Sequence, residues 1–292
     1  MQSDTRGLAA LLLVTAVWGT TFPAMKLLSG QLDALQIIWL RFAIALLVLA
    51  PLWPGMRTSE RRWGLLLGAL LFLAFWLQIE GLVRTSSNRN AFVTGLNVLV
   101  VPLLAMLALR RRYGWRLWAA CALACLGMAL MFHEDGPWNL GDTLTLCSTA
   151  FYATYILTLE AAARRNAAAP LRAARLAAAQ AGVMCVAAFA LLLVRHGNAW
   201  STGMGALSGP AWAALLYLGL LASVLVVTLQ AWGQQRVDAL RSAIIFGLEP
   251  VFAAVTAWLL LGERMGAVAL AGAALVVLAL IWSQWQPPRP AP

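Results

Sequence analysis

Apolar residues in this chain neither alternate nor recur on one narrow stripe; they fill runs of about 20 residues, separated by short clusters of Arg, Gly and Pro. A run of that length, coiled as a helix at about 1.5 Å per residue, matches the hydrocarbon core of a bilayer. The pattern predicts helices over 7–28, 33–53, 61–84, 88–109, 114–133, 140–162, 171–195, 208–232, 238–260 and 265–285. The first run, from Leu8 to Leu28, is longer than the apolar segment of a secretory signal and is followed by further spans, so it reads as a retained first helix. The expectation is an all-α integral membrane protein with ten transmembrane helices, and connections too short to form a separate domain.

Composition sharpens this. Of 292 residues 62% are hydrophobic and 11% charged, against about 25% charged in a soluble domain. The net charge of +10 does not indicate nucleic acid, because the basic residues lie in small groups between apolar runs. Cys121, Cys125, Cys147 and Cys185 all fall inside those runs, and His133 and His196 sit in loops without a zinc or triad pattern. They read as packing and loop residues, and no metal, cofactor or catalytic constellation is expected. A membrane enzyme needs clustered polar residues at one interface, and none stands out.

The placement of charge predicts orientation. Arg6, Arg57, Arg61, Arg62, the arginines of 110–116 and of 164–175, Arg236, Arg241 and Arg289 fall on the side of the two termini, fifteen in all. Lys26, Arg84, Arg89, Arg195 and Arg264 fall on the other. Over short loops this bias puts both termini in the cytoplasm, with the His133-Glu134-Asp135 turn and Trp200 outside. Trp53, Trp63, Trp115, Trp138 and Trp282 lie near span ends, as an interfacial belt requires.

The chain also repeats itself. Shifted by 152 residues, LQIEGLVRTSSNRNAFVTGL (77–96) lies over LQAWGQQRVDALRSAIIFGL (229–248) without a gap, pairing Gln78 with Gln230, Gly81 with Gly233, Arg84 with Arg236, Arg89 with Arg241 and Gly95 with Gly247. Near the start of each half, VTAVWGT (14–20) aligns with STAFYAT (148–154), pairing Trp18 with Tyr152. The expected units are 1–136 and 137–292. Each holds five spans, an odd number, so the second copy enters the membrane upside down relative to the first. Inverted repeats of this kind characterise secondary transporters, whose substrate site lies near the midplane between the halves.

Several stretches carry a family resemblance. AVWGTTF (16–22), WLRFAIA (39–45), NAFVTGLNVLVVPLLA (90–105) and GLEPVFAAVTAWLLLGERM (247–265) resemble the repeat signature of EamA-type carriers of the drug/metabolite transporter superfamily. The resemblance extends over nearly the whole chain. Within that family the sequence looks most like the YddG-type aromatic amino acid exporters. It implies ten helices in two inverted five-helix repeats, cytoplasmic termini and export of small metabolites. The expected function is therefore non-ATP secondary transport by alternating access in a bacterial inner membrane. The expected substrates are aromatic or other amino acids; a drug cation or a neutral metabolite is the rival. Beyond substrate and lipid bilayer, no protein partner is expected.

Candidate site residues follow from depth. Trp18, Asn97, Tyr152 and Glu249 sit about 9–11 residues into their spans, roughly 14–16 Å deep, and polar groups there must face the protein interior. Phe75, Tyr155 and Phe246 are deep aromatics suited to a flat substrate; Gln78 and Gln230 are repeat-related donors for it, or interhelical glue. Asn97 stands where the second half has Glu249, so a carboxylate occurs once per chain. Glu249 has two readings: it binds an ammonium or proton, or, next to Pro250, it satisfies a carbonyl that the proline leaves free. Arg41 either holds a substrate carboxylate or, the preferred reading, pairs with carbonyls or with an acid such as Glu80. Pro102 and Pro250 suggest bends in the fourth and ninth spans. Gly64 and Gly68 form a GxxxG read as close helix packing.

Overall fold

The computed structural model describes residues 4–131, 137–261 and 266–284. The His133-Glu134-Asp135 turn, Arg264 and Arg289 lie outside the described residues. Every regular element among the described residues is helical: α1 Thr5–Ser29, α2 Ala34–Leu49, α3 Thr58–Arg84, α4 Ser87–Gly95, α5 Asn97–Leu109, α6 Trp115–Met131, α7 Leu140–Arg165, α8 Ala173–His196, α9 Gly209–Leu216, α10 Val226–Gln234, α11 Ala239–Phe246, α12 Glu249–Leu261 and α13 Ala267–Gln284. Between α9 and α10 the backbone winds as a π-helix over Tyr217–Leu225.

Among the described residues seven stretches are long and apolar enough to cross a membrane: Thr5–Ser29, Ala34–Leu52, Thr58–Arg84, Arg89–Leu109, Ala173–Ala199, Gly209–Gln234 and Ala239–Thr256. Trp115–Met131 and Ala267–Trp282 are shorter apolar helices. α7, with 26 residues, falls outside that set because its buried face carries Thr145, Ser148, Thr149 and Tyr152. Such a face is tolerated because protein covers it: α3, α4, α5, α10 and α11 all pack on α7.

Helix ends are fixed by local chemistry. Asp33 and Gln36 form a reciprocal capping box at the start of α2, and Asn139 and Asp142 form another at α7. Ser86 Oγ accepts from Arg89 N at 3.0 Å at the start of α4, and Asp238 Oδ1 accepts from Arg241 N at 3.0 Å at the start of α11. These two caps stand at positions related by the 152-residue shift.

The two spans expected over 88–109 and 238–260 are each broken in the middle, and the breaks share one geometry. Leu96 N donates to Val93 O at 3.2 Å, and Leu248 N donates to Ile245 O at 3.0 Å. In each a tightened turn ends one helix, and the next begins at Asn97 or Glu249. The bend in the first half therefore falls at Gly95–Leu96, before Pro102, which stays inside an intact α5. A proline removes the bond to the carbonyl four residues back, here Val98. The Cys121 thiol of α6 donates to that oxygen at 3.2 Å, so this cysteine does more than fill space.

Packing follows the same duplication. α2 lies on α8 and α6 on α13; α3 lies on α7 as α1 lies on α9 and α10; α5 lies on α7 as α1 lies on α12. The Gly64/Gly68 pair faces α8, where a Cβ on Gly64 would come within 2.3 Å of Ala179 Cβ. Close helix packing within the chain accounts for this motif.

Ion pairs collect at the span ends. Glu80 pairs with Arg84 at 2.5 Å and with Arg195 at 2.8 Å. Buried Asp142 takes Arg89 at 2.7 Å and the Thr85 hydroxyl at 2.9 Å, tying the α3–α4 junction to α7. Arg84 and Arg89, on the side with fewer basic residues, thus have fixed partners, and Arg84 Nη1 also donates to the Glu80 carbonyl at 2.6 Å. On the opposite side Glu60 holds Arg57 at 2.9 Å and Arg175 at 3.4 Å, while Glu160 holds Arg111 at 2.7 Å and Arg164 at 2.8 Å.

Candidate functional site

A narrow cavity lies where helices of the two halves meet. α1 contributes Trp18, Thr21, Phe22 and Met25; α2 contributes Arg41; α3 contributes Ala74, Phe75 and Gln78; α4 contributes Thr94; α7 contributes Ser148 and Tyr152; and Glu249 projects from the first turn of α12. The turns at Leu96 and Leu248 fall inside their apolar stretches, and Thr94 and Glu249 beside them line this cavity.

Aromatic rings pave one side. Trp18 lies edge-on to Tyr152, with centroids 5.6 Å apart, and tilted against Phe246 at 5.2 Å; Tyr152 stacks on Tyr155 at 5.6 Å and 10°. Of these, Trp18 and Tyr152 face the cavity, while Tyr155 and Phe246 form the layer behind. The Trp18 indole N–H is buried without a partner among the described residues. Gln230 Nε2 donates to the Tyr152 hydroxyl at 2.5 Å and to Gln234 Oε1 at 3.0 Å. Gln230 therefore orients a lining residue rather than lining the cavity itself.

The polar wall opposite is a chain of hydrogen bonds. Gln78 Nε2 donates to Thr94 Oγ1 at 3.1 Å, Thr94 to Asn90 O at 2.8 Å, and Asn90 Nδ2 to Thr145 Oγ1 at 2.7 Å and Gln78 O at 3.1 Å. Asn97, expected beside the substrate, lies behind this wall at 2% exposure. Its Nδ2 donates to Thr94 O at 3.0 Å, a carbonyl at the end of α4.

Two ionisable groups reach the cavity, and neither meets an opposite charge among the described residues. The expected partner of Arg41, Glu80, is occupied by Arg84 and Arg195 at the end of α3. Arg41 instead donates from Nε to Ser223 Oγ at 2.9 Å, contacts the Met25 sulfur at 3.9 Å, and lies 5.3 and 5.1 Å from the ring centroids of Phe42 and Phe75. Glu249 bonds no freed carbonyl among the described residues. Pro250 occupies the first turn of α12, where a missing N–H costs nothing.

The sequence profile of the EamA-like transporter family matches residues 5–133 and again 139–284. The chain belongs to the EamA-like transporter family. It is a multi-pass membrane transporter, not an enzyme, and it works on small molecules from within the bilayer. An uncharacterized transporter of Archaeoglobus fulgidus is 26% identical over 272 residues, covering 93% of this chain and 83% of that one. A protein of known crystal structure superposes with a TM-score of 0.79 at 15% identity, over 97% of this chain and 99% of that one, a likeness of fold alone.

In this EamA-like chain the cavity brings together six residues singled out by depth: Trp18, Arg41, Phe75, Gln78, Tyr152 and Glu249. Thr21, Met25, Thr94 and Ser148 line it without having been picked out. Thr94 and Ser148 had a signal, since each belongs to a run of small polar residues at helical spacing, 90–94–97 and 145–148–149–152. Ser223 had none, because its place depends on the π-helical winding.

Proposed function

We propose that this transporter exports an amphoteric metabolite with a flat apolar side chain, an amino acid of the aromatic type, across a bacterial inner membrane. The observation that carries the reading is the pair Arg41 and Glu249. One cation and one anion line the same ring-walled cavity, each without a charged partner among the described residues. A charge in mid-membrane costs about 2.5–3.5 kcal/mol on insertion scales. A zwitterion offsets both costs at once: its carboxylate takes the guanidinium fork and its ammonium the carboxylate. Trp18, Phe75 and Tyr152 hold the ring, backed by Tyr155 and Phe246, and the Trp18 N–H and Gln78 are left to polar edges of the ligand.

The route is alternating access by two inverted five-helix units, 1–136 and 137–292, ten spans in all, with both termini in the cytoplasm. The matched helix breaks, matched caps and matched packing pairs support this duplication. Cysteines placed at exposed Arg84 and half-buried Arg236 should label from opposite sides with an impermeant reagent; labelling from one side ends the inverted arrangement. In proteoliposomes, uptake of tryptophan or phenylalanine should saturate and be competed by unlabelled substrate. Linear flux would refute a carrier.

One rival has an observation behind it: Glu249 alone suits an organic cation. Competition settles this, because a cation carrier prefers an aromatic amine to the matching amino acid, whereas a site using Arg41 as well prefers the amino acid.

A further inference from the structure

The span built from α9, the π-helix and α10 differs from its repeat mate α3, which winds as one regular helix. Ser223 stands where the first half has Leu71, a fully buried core residue. A π-helix inside a membrane span gives up a standard hydrogen-bond register, and such segments concentrate at functional sites. Here its consequences can be traced atom by atom.

The winding lets α2 come close. A Cβ on Gly219 would lie 2.8 Å from Ile44 Cγ2, so glycine is required for that approach. One turn on, Ser223 meets Arg41, one turn back from Ile44. The single hydroxyl proton of Ser223 is committed to Leu218 O at 2.8 Å, five residues earlier, the spacing of π-helical winding. Its oxygen is therefore fixed as an acceptor, and it receives Arg41 Nε–H at 2.9 Å. With Nε tied and the guanidinium laid against Phe42 and Phe75, the terminal nitrogens have no partner among the described residues other than the Met25 thioether at 3.9 Å. Tyr217, the first residue of the same winding, bonds Thr20 and accompanies it with a longer bond to Val17 O at 3.3 Å. These residues flank cavity-lining Trp18 and Thr21.

We infer that the π-helical segment Tyr217–Leu225 aims Arg41 at the ligand carboxylate, with Ser223 as the positioning residue. The inference rests on the amphoteric-substrate reading above. The arrangement selects for carboxylate-bearing ligands: an arginine held at Nε presents its outer fork in one plane, whereas an untethered one spreads over many rotamers. Removing a hydrogen bond to a charged group weakens the recognition it supports by about tenfold or more.

The test compares tryptophan with tryptamine, its decarboxylated amine, as competitors in proteoliposomes. Ser223→Ala should raise the KM for tryptophan about tenfold at unchanged maximal rate. Tryptamine competition should not change, so the preference for tryptophan falls by the same factor. Ser223→Thr, which keeps the hydroxyl, should restore it. A merely structural serine would affect both ligands equally; that result, or no effect on either, overturns the inference. If Ser223→Ala does not accumulate in the membrane, Ser223→Cys, of similar shape but a weak acceptor, supplies the same readout. Arg41→Gln separates the two ideas. If Arg41→Gln leaves tryptophan KM unchanged, the amphoteric reading fails, whereas an effect in Arg41→Gln with none in Ser223→Ala removes the positioning role alone.

Discussion

The two broken spans are copies of one another that have been put to different uses. Each starts with a side-chain cap, at Ser86 or Asp238, and each stops at a tightened turn closed by Leu96 or Leu248. Beyond the turn they part. Asn97 turns back to satisfy Thr94 O, and the later proline of that span is compensated by Cys121 on α6. Glu249 turns out to the cavity, and Pro250 sits where a helix start needs no donor. The first break turns its polar side chain back onto the backbone, and the second turns its carboxylate to the cavity. Duplication supplies the frame twice, but the carboxylate stands in one copy alone.

That contrast can be broken experimentally. The largest effect is expected at the second break. Glu249→Gln should lower transport efficiency for an aromatic amino acid at least about 30-fold, since truncating one partner of a desolvated charge pair costs about 2–5 kcal/mol; initial uptake rates into proteoliposomes measure it. Trp18→Ala comes next. It removes contacts to Tyr152 and Phe246 and a surface for the ligand ring, so KM should rise about tenfold, while a nonaromatic amino acid loses less.

At the first break the sign of the comparison reverses. Asn97→Ala should leave transport within about threefold of the parent and lower stability by about 1 kcal/mol, because the side-chain bond to Thr94 O is lost; thermal melting in detergent alongside uptake distinguishes this from a binding role. Cys121→Ala should cost no more than this, about 1 kcal/mol, or about 2–4 °C in Tm, and Cys121→Ser should recover most of it by donating to Val98 O. Should Asn97→Ala abolish uptake while melting as the parent does, the division of labour between the halves is wrong.

The sequence carried the frame far better than the wiring. Runs of apolar residues marked the helices, and the gapless match of 77–96 with 229–248 already joined Gln78 to Gln230 and Gly95 to Gly247. Depth alone singled out Trp18, Tyr152 and Glu249, because a polar or aromatic group in mid-span is visible against Leu and Ala. The location of the breaks was not visible. Pro102 is the louder signal, yet the chain bends at Gly95–Leu96, where only tertiary contacts decide. Arg41 shows the same limit: a buried cation suggests an acid, but Glu80 is drawn to Arg84 and Arg195 at the helix end, and Arg41 turns to Ser223. Which face Asn97 presents is set by a turn whose carbonyls need donors, and spacing along the chain does not report that.

α7 gives the architecture a consequence for synthesis. It is the polar one among the long helices, and lipid alone offers poor lodging to Thr145, Ser148, Thr149 and Tyr152. Its neighbours α3, α4 and α5 precede it on the ribosome, whereas α10 and α11 follow. The first half can thus act as an internal chaperone, a greasy berth waiting for the helix least able to partition unaided. Nascent chains released just after α7 should be retained in the bilayer when α3–α5 precede it, and should slip out when they do not.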